Sequence, residues 1–84
     1  MYYFYVLKSE KDNNLYFGYT NNIKQRFEDH NKGKVSSTKN RRPLTLPYYE
    51  AYESEKDARN RELQIKRRAK AFISLKRRII YSII

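Results

Sequence analysis

Arg26 and His30 stand four residues apart in a stretch that reads as a short helix, so their side chains stack on one face. Arginine forks onto phosphate oxygens, and histidine exchanges protons near neutral pH. Together they suit charge stabilisation and proton transfer at a phosphate, although each alone is common as a solvated cation or a structural imidazole. Glu62 is the second unusual position, the only acid between Arg59 and Arg78 in a stretch holding nine basic residues. Two accounts fit it. Glu62 pairs with Lys66 at i+4 or Arg59 at i−3, or it holds a hard divalent cation against a phosphate, since Mg2+ takes one or two protein carboxylates and keeps several waters. Tyrosines supply the third feature. Tyr3, Tyr5 and Leu7 share one face of a first strand, and Tyr2, Phe4 and Val6 share the other. Core packing accounts for most of these rings, but a phenol also donates, accepts, or acts as a base once deprotonated. With a reference pKa of about 10, the base form is roughly one part in a thousand at pH 7. It therefore needs nearby positive charge, of the kind Arg26, His30 or a metal supplies.

These residues need elements to position them. Residues 2–7, a run of aromatic and β-branched types, read as a strand, and Leu15 to Tyr19 as a second, with turn chemistry at Asp12-Asn13-Asn14 between them. Asn22 is placed to cap a helix starting at Ile23, with Ile23 and Phe27 on one face and Asn31 and Gly33 at its end. Lys32 to Pro47 reads as a loop, with Gly33, Ser36, Ser37, Asn40 and two prolines, carrying Lys34, Lys39, Arg41 and Arg42. Tyr48 to Tyr52 suits a third strand. Ser54-Glu55-Lys56-Asp57 resembles a capping box with Asp in place of Glu, and opens a long helix. Ala58, Ile65, Ala69 and Phe72 follow its 3.6-residue period with Glu62 in the same stripe, and residues 71–84 form or continue into a further helix. The order β-β-α-β-α-α predicts an α+β fold, and residues 1–84 are expected to form a single domain.

Composition narrows the function classes. The apolar fraction is only 39%, but nine Tyr and four Phe let a small core rest on rings. Nineteen Lys and Arg against nine Asp and Glu leave a formal charge of +10, which favours polyanionic partners through counterion release. Thirteen of those cations fall in residues 39–84. With no cysteine, disulfide scaffolds, thiolate zinc sites and cysteine nucleophiles are excluded. The apolar runs at Met1 to Leu7 and Ile79 to Ile84 are too short to span a bilayer, so a cytoplasmic location without membrane attachment is expected.

Taken together, the sequence resembles the GIY-YIG nuclease family. Tyr3-Phe4-Tyr5 stands where that family has its first motif, and Tyr16-Phe17-Gly18 where it has its second. Arg26 and His30 follow Tyr16 by ten and fourteen residues, and Glu62 in Arg61-Glu62-Leu63-Gln64 matches the family's metal-binding glutamate. Ser37 to Leu44 and Tyr48-Tyr49-Glu50 further resemble small stand-alone members related to the bacterial excision-repair incision subunit. The likeness runs from residue 2 to about residue 75. Two departures stand out: Tyr3 and Phe4 replace the glycine and aliphatic residue of the first motif, and no Asn follows Asn60.

The resemblance implies a three-stranded antiparallel sheet flanked by helices, and a metal-dependent endonuclease acting on DNA, on a repair or recombination structure. One Mg2+ or Mn2+ ion would sit on Glu62. Tyr5 would be the general base, Tyr16 would position the phosphate or water, Arg26 would stabilise the phosphate charge, and His30 would assist proton movement around Tyr5. Gly18 would permit close backbone approach. From the charge pattern, Lys34, Lys39, Arg41, Arg42, Lys66, Arg67 and Arg68 are the candidates for tracking the nucleic-acid backbone. The alternative is a non-catalytic nucleic-acid-binding module of the same fold, favoured by the absent Asn.

Overall fold

The run of apolar and aromatic residues at the N-terminus becomes the middle of the sheet. In the computed structural model, which describes residues 1–84, the chain forms β1 (Tyr2–Ser9), β2 (Leu15–Thr20), α1 (Ile23–Asn31), β3 (Leu44–Tyr52), α2 (Glu55–Arg67), α3 (Ala69–Arg78) and α4 (Ile80–Ile83), with a 3-10 turn at Lys39–Arg41 before β3. The strands make one antiparallel sheet in the order β2-β1-β3. A central strand covered on both faces needs an apolar or satisfied side chain at every position, and Phe4, Tyr5, Val6 and Leu7 are all buried. Phe4 and Val6 pack with Ile65 of α2, Leu75 of α3 and Ile79. Tyr5 and Leu7 turn to the opposite face, join Leu44, and pack against Ile23 and Phe27 of α1. The sheet is thus flanked by helices on both sides, the α+β arrangement expected.

Local chemistry sets the turns. Asn13 adopts φ 62°, a left-handed conformation asparagine tolerates, at the corner between β1 and β2. Ser9 is fully buried there; its Oγ accepts from the Lys11 and Asp12 amides at 3.1 and 3.2 Å and donates to the Arg41 carbonyl at 2.6 Å. Asn22 caps α1, its side chain accepting from the Gln25 amide at 3.1 Å.

Three expectations are corrected. β3 begins at Leu44, four residues before the expected Tyr48, and so includes Pro47. Proline is tolerated because β3 is an edge strand and because the β1–β3 register shifts there, with Leu46 and Pro47 together opposite Leu7. The start of β3 is pinned by Asn31, whose side chain donates to the Leu44 carbonyl at 3.0 Å and accepts from its amide at 2.9 Å. The single long helix from Ser54 is instead broken at Arg68, which is extended at φ −121°, ψ 111°. In a straight helix Leu75 would stand about 15 Å beyond Ile65 along the axis. The break turns α3 back so that both enter one core cluster, a tertiary gain that overrides an uninterrupted helical pattern. Finally, Ser54 makes no side-chain cap, although Glu55 and Asp57 still place negative charge in the first turn of α2.

The Ile79–Ile84 tail divides. Ile79 is buried and Ile83 packs against the same cluster, whereas Ile80, Tyr81 and Ile84 are exposed.

One polar cluster fastens α2 to the sheet. Glu50 on β3 accepts from the phenols of Tyr48, at 2.6 Å, and Tyr52, and from Arg61 Nε at 3.0 Å. Arg61 also lies over the Phe4 ring, 5.8 Å from its centroid. These partners hold the Glu50 carboxylate below its ordinary range despite the opposing effect of burial, while burial and the Glu50 charge push the Tyr52 phenol up to about 12.

Gly18 pairs directly with Tyr5 across β1 and β2, and a Cβ built on it would collide with the Tyr5 phenol. Its missing side chain makes room for that ring, which corrects the expectation that it is open to a ligand. Gly18→Ala is expected to lower unfolding free energy by about 1–3 kcal/mol, the usual cost of overpacking. Urea denaturation checks this, and an unchanged midpoint would contradict it.

Candidate active site

Tyr5 comes from β1, Tyr16 from β2, and Arg26 and His30 from successive turns of α1, which lies on the Tyr5 face of the sheet. Their convergence follows from two periodicities. Alternation puts Tyr5 on the α1 side of β1, and the four-residue helical spacing turns Arg26 and His30 together toward it. The Tyr5 hydroxyl lies 2.9 Å from His30 Nε2 and 3.4 Å from Arg26 Nε, which donates to it. The Tyr16 ring meets the His30 ring edge-on with centroids 5.2 Å apart, and Tyr5 does the same at 5.8 Å. Four of the five residues singled out from the sequence therefore share one neighbourhood.

Glu62 is placed differently. It lies on α2 with its side chain 15% exposed, between the buried Ala58 and Ile65, as its position in the stripe predicted. It also stands 3.6 Å from Lys66, so the i,i+4 partner is present, but beyond hydrogen-bonding distance. The carboxylate is thus largely covered and only loosely paired. Its charge bears on the Tyr5 phenol. The contrast with Glu50, whose oxygens are engaged by three side chains, is plain. The chain contains no group of three or more His, Cys, Asp or Glu side chains able to share a metal. A single carboxylate does not meet the three or four nitrogen and sulfur ligands zinc favours, but fits Mg2+ or Mn2+, which keep several waters.

The electrostatics follow from burial beside a cation. Desolvation pushes the Tyr5 phenol up; the Arg26 hydrogen bond and charge pull it down, and Tyr16 and Glu62 push it up, leaving it raised. Desolvation, reinforced by Arg26, pushes His30 down to about 4, so its imidazole is neutral at physiological pH.

Two hydroxyl residues went unnoticed in the sequence. Thr38 is fully buried, with Oγ1 2.7 Å from His30 Nδ1, and the Ser37 hydroxyl donates to the Tyr16 hydroxyl at 3.4 Å. Both lie in a stretch that reads only as a basic loop. No residue type or spacing there signals that the loop folds back on the end of α1.

The expected backbone-tracking cations have separate fates. Arg41 closes on Asp12, Nε to Oδ2 at 2.7 Å and a terminal nitrogen to Oδ1 at 3.3 Å, and holds that carboxyl down at about 2. It fastens the 3-10 turn to the β1–β2 corner, so it is not a free cation. Arg42 donates Nε to the Lys39 carbonyl at 2.8 Å, and Lys34 stands a loose 4.0 Å from Asp29. Lys39 is exposed beside them. Arg67 and Arg68 line a shallow polar depression with Asn60, Leu63 and Gln64 at the α2–α3 corner.

A three-stranded antiparallel sheet bearing paired tyrosines, with an arginine and a histidine on the first helix, is the architecture of a nuclease-type domain. The chain belongs to the GIY-YIG catalytic domain family, whose family model matches residues 1–78. Among its relatives is a UPF0213 protein of Pediococcus pentosaceus, 46% identical over 71 residues that cover 83% of this chain and 74% of the relative. A UPF0213 protein of Staphylococcus haemolyticus is 47% identical over 66 residues, covering 77% and 79%. One of Clostridium perfringens is 43% identical over 68 residues, covering 80% and 72%. No solved structure matches the chain. No helix is long and apolar enough to cross a membrane.

The depressed His30 value has a consequence for stability. Its ordinary value is 6.5 and its folded value about 4, so between them the unfolded chain binds a proton that the folded chain does not. The contribution of neutral His30 is complete above about pH 6.5 and is lost as pH falls towards about 4. Thermal unfolding of the parent is expected to weaken steadily across that window, and His30→Asn to flatten the dependence. A parent Tm that is level from pH 6.5 to 4 would contradict it.

Proposed function

We propose that this protein is a divalent-metal-dependent endonuclease that hydrolyses phosphodiester bonds in DNA. The observation that carries the reading is the placement of the Tyr5 hydroxyl within hydrogen-bonding reach of both His30 and Arg26. A structural tyrosine needs one partner; two nitrogen partners, one a fixed cation, favour the negative form of the oxygen. Tyr5 takes a proton from the attacking water as that water's oxygen bonds to phosphorus, and the opposite P–O bond breaks. Arg26 spends only Nε on Tyr5, which leaves the two terminal amino groups of its fork for the phosphate, where charge builds in the transition state. Tyr16, packed against His30, positions the phosphate or the water. Glu62 is the residue to hold Mg2+ or Mn2+, which when bound supplies Lewis-acid neutralisation of the leaving oxygen. Lys34, Lys39 and Arg42 in the loop beside Tyr16, and Lys66, Arg67 and Arg68 on and after α2, are the cations to track the nucleic-acid backbone. Contacts of this kind give steep salt dependence and little sequence preference.

The Glu62–Lys66 pair favours a second reading, a nucleic-acid-binding module without catalysis. Nicking of supercoiled DNA with Mg2+ separates the two. Glu62→Ala and Tyr5→Phe are expected to reduce nicking by at least about a hundredfold, the usual scale for an essential catalytic group, with DNA affinity changed less than about threefold. Variants that nick like the parent would overturn the assigned roles, and a parent that binds but never nicks would establish the second reading.

The raised Tyr5 value fixes the sign of the pH dependence. The base form is scarce at neutral pH and grows with each step upward, so the logarithm of the nicking rate is expected to rise without a plateau from about pH 6 to about pH 9. His30 stays neutral throughout that range and adds no limb. A profile levelling off near pH 6.5 would instead identify an imidazole as the titrating base.

A further inference from the structure

We infer that Thr38 is a positioning residue: its hydroxyl donates to His30 Nδ1 and so holds the imidazole in the tautomer that carries its proton on Nε2, aimed at the Tyr5 oxygen. The catalytic consequence rests on the nuclease reading above; the tautomer itself does not. The assignment comes from counting donors in a place that water does not reach, since Thr38 and His30 are both 0% exposed. The Thr38 hydroxyl has two acceptors in range. His30 Nδ1 is at 2.7 Å, a short and well-formed contact. The Val35 carbonyl is at 3.5 Å and already accepts the amides of Thr38 and Lys39, at 3.1 and 3.0 Å. With its lone pairs engaged and its distance long, that carbonyl is a poor home for a third donor. The Thr38 proton therefore goes to Nδ1.

A neutral imidazole has one N–H, and the partner of one nitrogen decides the role of the other. With Nδ1 accepting, Nε2–H donates to Tyr5 at 2.9 Å, alongside Arg26 Nε–H at 3.4 Å. The phenol oxygen then faces two N–H donors, an arrangement that stabilises its deprotonated form. The opposite tautomer would present a lone pair to Tyr5 and would instead stabilise the protonated phenol. A methyl-bearing hydroxyl in a basic loop thus decides which form of the proposed base its histidine favours. The loop reaches His30 because it folds over the end of α1, with the Gly33 amide on the His30 carbonyl at 3.2 Å and the Lys34 amide on the Asp29 carbonyl at 3.0 Å.

The test is nitrogen NMR of the imidazole in the full chain, paired with the nicking assay. In the parent, Nε2 is expected to resonate as the protonated nitrogen and Nδ1 as the lone-pair nitrogen. Thr38→Val, nearly the same shape without the hydroxyl, is expected to mix or exchange the two signals and slow nicking about tenfold, the scale of one hydrogen bond. Thr38→Ser is expected to restore both. A parent with its proton on Nδ1 overturns the inference whether or not any variant folds. So does a folded Thr38→Val protein that keeps the parent tautomer. If the parent shows the Nε2–H tautomer and yet nicks no DNA, the nuclease reading fails and the inference about Thr38 stands.

Discussion

A phenol buried in a protein must be met by partners, because an unpaired hydroxyl away from water costs more than its ring gains. Tyr5 is 1% exposed at the centre of the middle strand, and much of the molecule is arranged around its oxygen. Gly18 on β2 leaves the space its ring occupies. His30 and Arg26 bring nitrogen to it from α1, which fixes how that helix docks on the sheet. The end of α1 is in turn tied to the loop through Thr38 and to β3 through Asn31. The contacts that satisfy a buried hydroxyl are those that would steady a tyrosinate, so the same geometry serves stability and chemistry.

The two half-covered acids on the sheet and α2 illustrate how a structural carboxylate differs from one free to work. Glu50 is gripped by two phenols and a guanidinium, all of which help fasten α2 to β3. Glu62 sits beside Arg61 in sequence, so the grip on Arg61 also sets the rotation of α2 about its axis and directs Glu62. That carboxylate keeps only a loose neighbour in Lys66.

The α+β class and the strand-strand-helix opening were legible because β1, β2 and α1 each carry an unmixed local signal: alternation, turn chemistry, or an Asn cap. The meeting of Tyr5 with Arg26 and His30 was legible for the same reason, since all three lie on elements of regular period. The errors fall where tertiary packing outweighs local pattern. Nothing in residues 65–72 announces the break at Arg68; it exists because Leu75 and Ile79 find better burial beside Ile65. Pro47 signals a loop unless the strand is known to lie at an edge with a bulge. Thr38 and Ser37 were invisible because their contacts depend on how a loop folds, and small hydroxyls carry no periodic signature. Arg41 is the reverse case, a cation legible as charge whose partner Asp12 lies 29 residues earlier.

The central position of β1 has a further consequence, for the order in which the molecule assembles. β1 and β2 are neighbours in sequence and can zip together early, but the other edge of β1 pairs with β3, bringing Tyr2 against Tyr52. Closing so long a loop costs chain entropy before it returns any contact, and long-range pairings of this kind slow folding. During synthesis the hairpin would therefore wait with one unpaired edge and a row of exposed rings until residue 52 has left the ribosome. The α2–α3 unit, whose contacts are all local, can form as soon as it is made. The strand that organises the finished protein is thus the one that stays incomplete longest.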